Sequence, residues 1–307
     1  MTKCSTKGYM IKMVGLDMDG TLLTTDKELT EHTKKVLREA IDRGVAVVPA
    51  TGRPLTGIPE EVLKFPGVRY AVASNGARIV DLKEGRVLCE ELVPYETGRR
   101  VLDICSRYDT MLEIYYDGVG YAEKEKLEHI DEYVPRRPMA RYITDSRRPV
   151  ADVRAMYEER KAPTDKVQAL FRTREECKKA WKEVEKEVPD IEITGALSNN
   201  IEVNAKGVNK GRGLLLLGEL LGIGSEEIMA VGDGSNDIAM LREAGLGVAM
   251  ENATDEVKAA ADVITLSNDR EGAAAAIEKY ILRELRQNER HDRKQKEIDQ
   301  CYILSKS

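Results

Sequence analysis

The chain has 307 residues, with 54 acidic against 48 basic side chains and a net charge of -6; that length suits about two domains or one with a large insertion, and that balance offers no overall positive field for nucleic acid or anionic lipid. Five cysteines, Cys4, Cys89, Cys105, Cys177 and Cys301, are odd in number and never form a C-x-x-C pair, which argues against a disulfide framework or a zinc cluster and for the reducing cytoplasm. No run approaches the roughly 18 apolar residues of a membrane span, and the stretch MTKCSTKGYMIKM lacks the apolar centre of a signal peptide, so a soluble, unexported protein is expected.

In chain order, IKMVGLD reads as a short buried strand, and LTEHTKKVLREAIDRG as a helix with Val36, Leu37, Ala40 and Ile41 on one face and Gly44 as its stop. VAVVPAT is a nearly continuous apolar run, the pattern of a strand covered on both faces. PEEVLKF follows as a short helix, and YAVASNG as a third strand. The texture then changes. Residues 83–197 are richer in Tyr, Arg and Glu, broken by prolines, and carry strand-like alternation in MLEIYYDGVGYA, KVQALF and IEITGAL. The first rhythm returns with GRGLLLLGELLGI (helix), EEIMAVGDG (strand), NDIAMLREAG (helix), LGVAM (strand), TDEVKAAA (helix) and DVITL (strand), and a last helix EGAAAAIEKYILREL. Strands alternating with helices mean a parallel sheet. The expected organisation is an α/β core built from 1–82 and 198–285, an inserted α/β domain over 83–197, and a charged tail over 286–307 read as a solvated segment.

Ligands of an open parallel sheet bind at the carboxyl ends of its strands. Four motifs fall there: Asp17-Met18-Asp19-Gly20-Thr21, Thr51-Gly52-Arg53, Ser74-Asn75-Gly76 and Gly232-Asp233-Gly234-Ser235-Asn236-Asp237, joined by Lys210 at the head of a helix. Taken singly, each has an ordinary explanation as an Asx-turn, a helix cap, a positive-φ turn or a solvated lysine. Taken together and in this order, they place carboxylates, a hydroxyl and an ammonium on one rim. Asp17, Asp19, Asp233 and Asp237 would repel one another without a cation, and a donor set of oxygen alone points to a hard ion such as Mg²⁺. A cation, a lysine, a threonine hydroxyl and Gly-rich backbone N–H groups suit a phosphate. The histidines His32, His129 and His291 lie in charged helical surroundings and are not expected to ligate or catalyse.

The strings DMDGTLL, ATGRP, SNGA, GVNKGRGL, GDGSNDIAML and VAMENATDEVKAAADVIT resemble the haloacid dehalogenase superfamily, in its Cof-type sugar-phosphatase-like branch. The resemblance implies a Rossmann-like parallel-sheet core with an α/β cap that closes over it, and a two-step phosphoryl transfer. In that scheme Asp17 is the nucleophile that becomes an aspartyl-phosphate, and Asp19 is the acid and then the base. Mg²⁺ is bound by the Asp17 carboxylate, the Asp19 carbonyl and Asp233, with Asp237 either orienting a metal water or Lys210 or ligating the ion directly. Thr51 and Lys210 hold the phosphoryl oxygens, Gly52 donates its N–H, Asn236 assists, and Arg53 and Asn75 face the substrate. Lys206 competes with Lys210 for the lysine role, but GVNKG fits the family spacing, with Asn209 where Ser is more usual. The cap residues Tyr115, Tyr116, Asp117 and Arg141 are assigned no role. The expected activity is Mg²⁺-dependent hydrolysis of small phosphorylated metabolites, either sugar or cofactor phosphates. A phosphomutase using the same aspartyl-phosphate, and a regulator that binds phosphate or metal without turnover, are the alternatives.

Overall fold

The computed structural model describes residues 10–283; the charged segment 286–307, with His291 and Cys301, and Cys4 lie outside the described residues. The strands run in chain order as β1 (Met13–Leu16), β2 (Ala46–Pro49), β3 (Tyr70–Ala73), β4 (Arg78–Asp81), β5 (Arg86–Glu90), β6 (Thr110–Tyr116), β7 (Val119–Glu123), β8 (Arg147–Val150), β9 (Lys166–Phe171), β10 (Ile191–Thr194), β11 (Asn200–Ala205), β12 (Ile228–Gly232), β13 (Leu246–Ala249) and β14 (Val263–Ile264). A five-stranded parallel sheet has the order β14-β13-β12-β1-β2. A parallel bridge between Ala50 and Val72 sets β3 beside β2, and β3-β4-β5 continue as an antiparallel meander.

The near-continuous apolar runs are explained by burial on both faces. Val14, Leu16, Val47, Met229 and Val231 pack with Val36 and Leu37 of helix Glu31–Asp42 and with Ala273 and Ile277 of helix Gly272–Ile277. Met13, Val48, Ile228 and Ala230 point the other way, against Leu214 and Leu217 of helix Lys210–Leu221, Met240 and Leu241 of helix Ile238–Glu243, and Val257 of helix Asp255–Ala260. Successive side chains alternate between faces, so a strand covered twice has no polar positions. Caps fix where the helices begin. Thr30 accepts from the Thr33 N–H at 3.1 Å, and Asn209 accepts from the Arg212 N–H at 2.9 Å, so Asn serves at that cap.

The second unit is a six-stranded sheet of order β10-β11-β9-β6-β7-β8, antiparallel except for the β7–β8 pair. One face carries Leu112, Ile114, Val167, Ala169, Ile201 and Val203 against helices Tyr95–Cys105, Val153–Arg160 and Arg174–Glu187. The alternate positions Glu113, Tyr115, Lys166, Gln168, Asn200, Glu202 and Asn204 form a buried polar face. By sheet membership β5 stays with the core meander and β11 joins the second sheet, although limits at 83 and 197 would assign each the other way. Hydrogen-bonded register decides that membership, and texture along the chain does not report it.

Arg78 on β4 reaches across to Asp165, just before β9, with Nη2 to Oδ1 at 2.7 Å, and the same carboxylate accepts from the Gly118 N–H at 2.7 Å. Both side chains are buried; without Asp165, Arg78 would keep only the half-exposed Glu90 at 3.1 Å and the exposed Asp117 at 3.6 Å, and the Gly118 N–H would lose its acceptor. Asp165→Ala is expected to lose about 1–3 kcal/mol of stability in urea unfolding, and a loss below about 1 kcal/mol would show that this pair does not tie the two sheets together.

Candidate active site

Asp17 sits just past the end of β1, its N–H bonded to the Val231 carbonyl of β12 at 3.0 Å. The chain then turns sharply, with Gly20 at φ +83, and a Cβ there would collide with the Asp233 carboxylate. Only glycine meets both demands. Thr21 donates its hydroxyl to Asp233 Oδ1 at 3.0 Å, and Asn252 donates its amide to the Gly20 carbonyl at 2.9 Å and to Asp233 Oδ2 at 3.1 Å. Lys210 is wholly buried at the first turn of its helix and donates to Asp17 Oδ1 and Asp237 Oδ1, each at 2.6 Å. The other oxygen of Asp237 accepts from the N–H groups of Asp233 and Gly234 at 2.9 and 2.8 Å. Lys206, by contrast, is exposed and pairs with Asp190 at 3.0 Å.

Carboxylate oxygens of Asp17, Asp233 and Asp237 lie within 4.8 Å of one another. Burial, and then the charge of Asp237, push the Asp17 carboxyl well above its usual range against the pull of Lys210. Burial and Asp237 likewise lift Asp233 to about 7. Lys210 is the reverse case: burial disfavours its charge, but Asp17 and Asp237 outweigh that and hold it protonated. One ammonium among three carboxylates leaves negative charge unbalanced, and an all-oxygen donor set of this kind fits a hard divalent cation.

Asp19 points elsewhere. Its carboxylate is gripped by Arg53, Nε and Nη2 each at 2.6 Å, and by Lys27 at 2.6 Å. Burial opposes ionisation, but the hydrogen bonds and charge of Arg53, with Lys27, hold this carboxyl far below the usual range. Its side chain is thus outside the trio of acidic ligands, and only its main chain remains for a metal. Thr51, past the end of β2, accepts from the Arg53 N–H at 3.1 Å, which leaves its hydroxyl proton to donate.

A cavity of about 100 Å³ joins these groups to the polar face of the second sheet. From the core it is lined by Asp17, Asp19, Thr51, Gly52, Arg53, Asp233 and Asn236. Asn75, expected to face substrate, does not line it. Its amide nitrogen donates to Glu202 at 2.6 Å and Asn204 at 3.2 Å, and its oxygen accepts from Asn236 at 3.2 Å. Asn75 therefore braces the loops, with its amide already engaged on both sides.

Several residues here carry no motif. Lys166, on β9, donates to the Gly52 carbonyl at 2.7 Å and to Glu202 at 2.8 Å; burial lowers its pKa although Glu202 pulls it up. Arg147 donates through Nε to Glu113 at 2.5 Å and through Nη2 to Tyr115 at 2.8 Å. The sequence signal for Lys166 is the alternation of polar residues, Lys166 and Gln168 in KVQALF and Asn200, Glu202 and Asn204 in NIEVNA, which marks a two-faced strand but not what the polar face covers; Arg147, on β8, has no such signal. Tyr115 is buried in that network, Tyr116 packs in the apolar layer, and Asp117 pairs with Arg160 at 2.7 Å. Neither His32 nor His129 lines the cavity. Among the described residues, no helix is long and apolar enough to cross a membrane.

Known proteins resemble this chain in sequence and fold. The family model for haloacid dehalogenase-like hydrolases matches residues 14–277. The 5-amino-6-(5-phospho-D-ribitylamino)uracil phosphatase YcsE of Bacillus subtilis is 31% identical over 272 residues, covering 89% of this chain and 96% of that one. The phosphatase YwpJ of the same organism is 29% identical over 289 residues, covering 89% and 100%. Among solved structures, a phosphatase of the haloalkanoate superfamily from Bacteroides thetaiotaomicron aligns with a TM-score of 0.73 at 27% identity, covering 91% of this chain and 99% of that one. A subclass IIB sugar phosphatase of the superfamily aligns with a TM-score of 0.75 at 26% identity, covering 88% and 98%. With the motif-bearing loops on one rim of a parallel sheet and an α/β insert above them, the chain belongs to the haloacid dehalogenase-like hydrolases, in their Cof-type branch, and is a phosphoric monoester hydrolase.

Proposed function

We propose that this protein is a Mg²⁺-dependent phosphatase of small phosphorylated metabolites, working in the cytoplasm through an aspartyl-phosphate on Asp17. The observation that carries this reading is the crowding of Asp17, Asp233 and Asp237 around the buried Lys210, with Asp17 and Asp233 lining the cavity and Asp237 and Lys210 buried behind them. The relatives named above support it: one acts on a phosphorylated ribitylaminouracil and another is a sugar phosphatase, so sugar and cofactor phosphates are the substrate classes to examine. Unbridged Cys89, Cys105 and Cys177 suit a reducing compartment.

Asp17 and Asp233, with the Asp19 carbonyl, would hold Mg²⁺, and Asp237 would act through Lys210 and the backbone of the 233–234 loop. When bound, the ion supplies positive charge to the phosphoryl oxygens and keeps the Asp17 carboxylate ionised. An Asp17 oxygen attacks phosphorus in line, the bond from phosphorus to the ester oxygen breaks, and the departing oxygen takes a proton from Asp19. Water then loses a proton to Asp19 and attacks the same phosphorus, and the bond to Asp17 breaks to give free phosphate. Splitting the displacement replaces one hard step by two easier ones. Lys210 and the Thr51 hydroxyl hold the phosphoryl oxygens as charge moves across them. The Asp19 carboxylate gripped by Arg53 and Lys27 is in the state that takes the proton from water; to give one to the ester oxygen it must first take up a proton from solvent and release an Arg53 or Lys27 N–H, so that its own O–H can face the leaving group.

Asp17→Asn is expected to lower kcat on p-nitrophenyl phosphate by at least about 10,000-fold, as loss of a nucleophile does. Asp19→Ala should lose roughly 100- to 10,000-fold, while phosphate accumulates on Asp17 as a covalent mass increment. Wild-type turnover in Asp17→Asn would sink the mechanism. Release of inorganic phosphate without an activating bisphosphate separates the phosphatase from a phosphomutase. Mg²⁺ at about 100 times its dissociation constant should stabilise the wild-type protein by roughly 2.7 kcal/mol and leave Asp233→Asn nearly unmoved. Equal thermal shifts in both proteins would remove Asp233 from the metal site.

A further inference from the structure

The catalytic cavity has a neighbour. An open groove of about 1210 Å³ runs between Lys27 and helix Glu60–Leu63 on the core side and helix Arg137–Ser146 on the insert side. Among the described residues, Arg53 and Tyr142 alone line both spaces. The Tyr142 ring lies 3.8 Å from the guanidinium carbon of Arg53 and 5.2 Å from that of Arg147. Each guanidinium is itself held by a carboxylate, Arg53 by Asp19 at 2.6 Å and Arg147 by Glu113 at 2.5 Å. The phenol oxygen accepts from Arg147 Nη1 at 3.2 Å, and a Cβ at Gly57 would come within 2.8 Å of it. Contacts to two cations, a hydrogen bond at the tip and a close backbone thus fix the ring as a wall.

We propose that Tyr142 is the partition between the catalytic cavity and the outer groove, and so determines how large a leaving group the enzyme accepts. With the ring in place the leaving group must be housed beside Lys166, Gln168 and Asn200, on the polar face of the insert. With the ring removed the two spaces join, and a longer group passes over Arg53 into the groove. There Ile58, Pro59, Leu63 and Pro138 offer an apolar floor beside Arg137 and Arg141, which suits a flat, partly apolar group that also carries hydroxyls. The inference rests on the phosphatase reading for its catalytic form. It does not depend on which metabolite is the natural substrate.

The test compares kcat/KM for riboflavin 5′-phosphate with kcat/KM for p-nitrophenyl phosphate in the wild type, Tyr142→Phe and Tyr142→Ala. Using the ratio cancels any general loss that follows from disturbing Arg53. The ratio is expected to rise by roughly tenfold or more in Tyr142→Ala and to stay within about twofold in Tyr142→Phe, which keeps the ring. An unchanged ratio in Tyr142→Ala, or an equal rise in Tyr142→Phe, overturns the partition. Should the alanine variant fail to fold, Tyr142→Leu, which keeps apolar bulk without the flat ring, must show a rise of the same sign. If the wild type does not hydrolyse p-nitrophenyl phosphate, the phosphatase reading fails by itself. Binding then decides the partition: riboflavin 5′-phosphate must raise the melting temperature of the alanine or leucine variant more than that of the wild type, and equal shifts overturn it.

Discussion

Three carboxylates and one ammonium, all but the half-buried Asp233 enclosed, crowd the ends of β1 and β12, and the site is built around their imbalance. Asp17, Asp233 and Asp237 lie within 4.8 Å of one another, and Lys210 can compensate only one of those charges. Two features keep the cluster from splaying apart. Parallel strands β1 and β12, adjacent in the sheet, deliver Asp17 and Asp233 to the same rim. Fixed donors then hold the acids in place: the Thr21 hydroxyl and Asn252 amide on Asp233, and two backbone N–H groups on Asp237. Burial raises the pKa of Asp17 and Asp233 because the charged forms are poorly solvated and mutually repelled. A hard cation at this point would remove the repulsion and leave Asp17 ionised, the form the proposed mechanism requires.

Asp19 illustrates how the same loop places a second carboxylate under opposite electrostatic control. Two residues away along the chain, its side chain leaves the acidic cluster and meets Arg53 and Lys27. The pKa values of Asp17 and Asp19 are driven apart in opposite directions. Separation of this kind lets neighbouring carboxyl groups take different roles in one reaction.

The insert meets the core through a polar layer. Lys166 bonds the Gly52 carbonyl, Glu202 and Asn204 receive Asn75, and Arg78 reaches Asp165. The loop that presents Asn75 is held in an unusual backbone: Ser74, Asn75 and Gly76 have φ values of 51, 58 and 98, and the buried Ser74 hydroxyl has no hydrogen-bond partner. Left-handed conformations at non-glycine residues are strained, and such strain gathers at sites whose geometry matters more than their stability. Here it turns the chain so that one amide can bridge β11 and the Asn236 loop. Tyr142, between Arg53 and Arg147, extends the same joint to the edge of the cavity.

Much of this was written in local pattern. Apolar runs such as VAVVP specify doubly covered strands, and the order of strands, helices and Gly-Asp-rich turns specifies a parallel sheet whose rim gathers Asp17, Thr51, Lys210 and Asp233. Side-chain alternation and strand-to-helix order are short-range properties, so a single sequence carries them. What tertiary structure decided are relations across long separations. Among these are the pairing of β11 with β9, the turning of Lys166 and Glu202 toward the Gly52 and Asn75 loops, the engagement of Asn75 in bracing, and the seating of Tyr142 against Arg53. None of these pairs is close in the chain, and no spacing rule reports which polar face will cover which rim until both sheets are packed together.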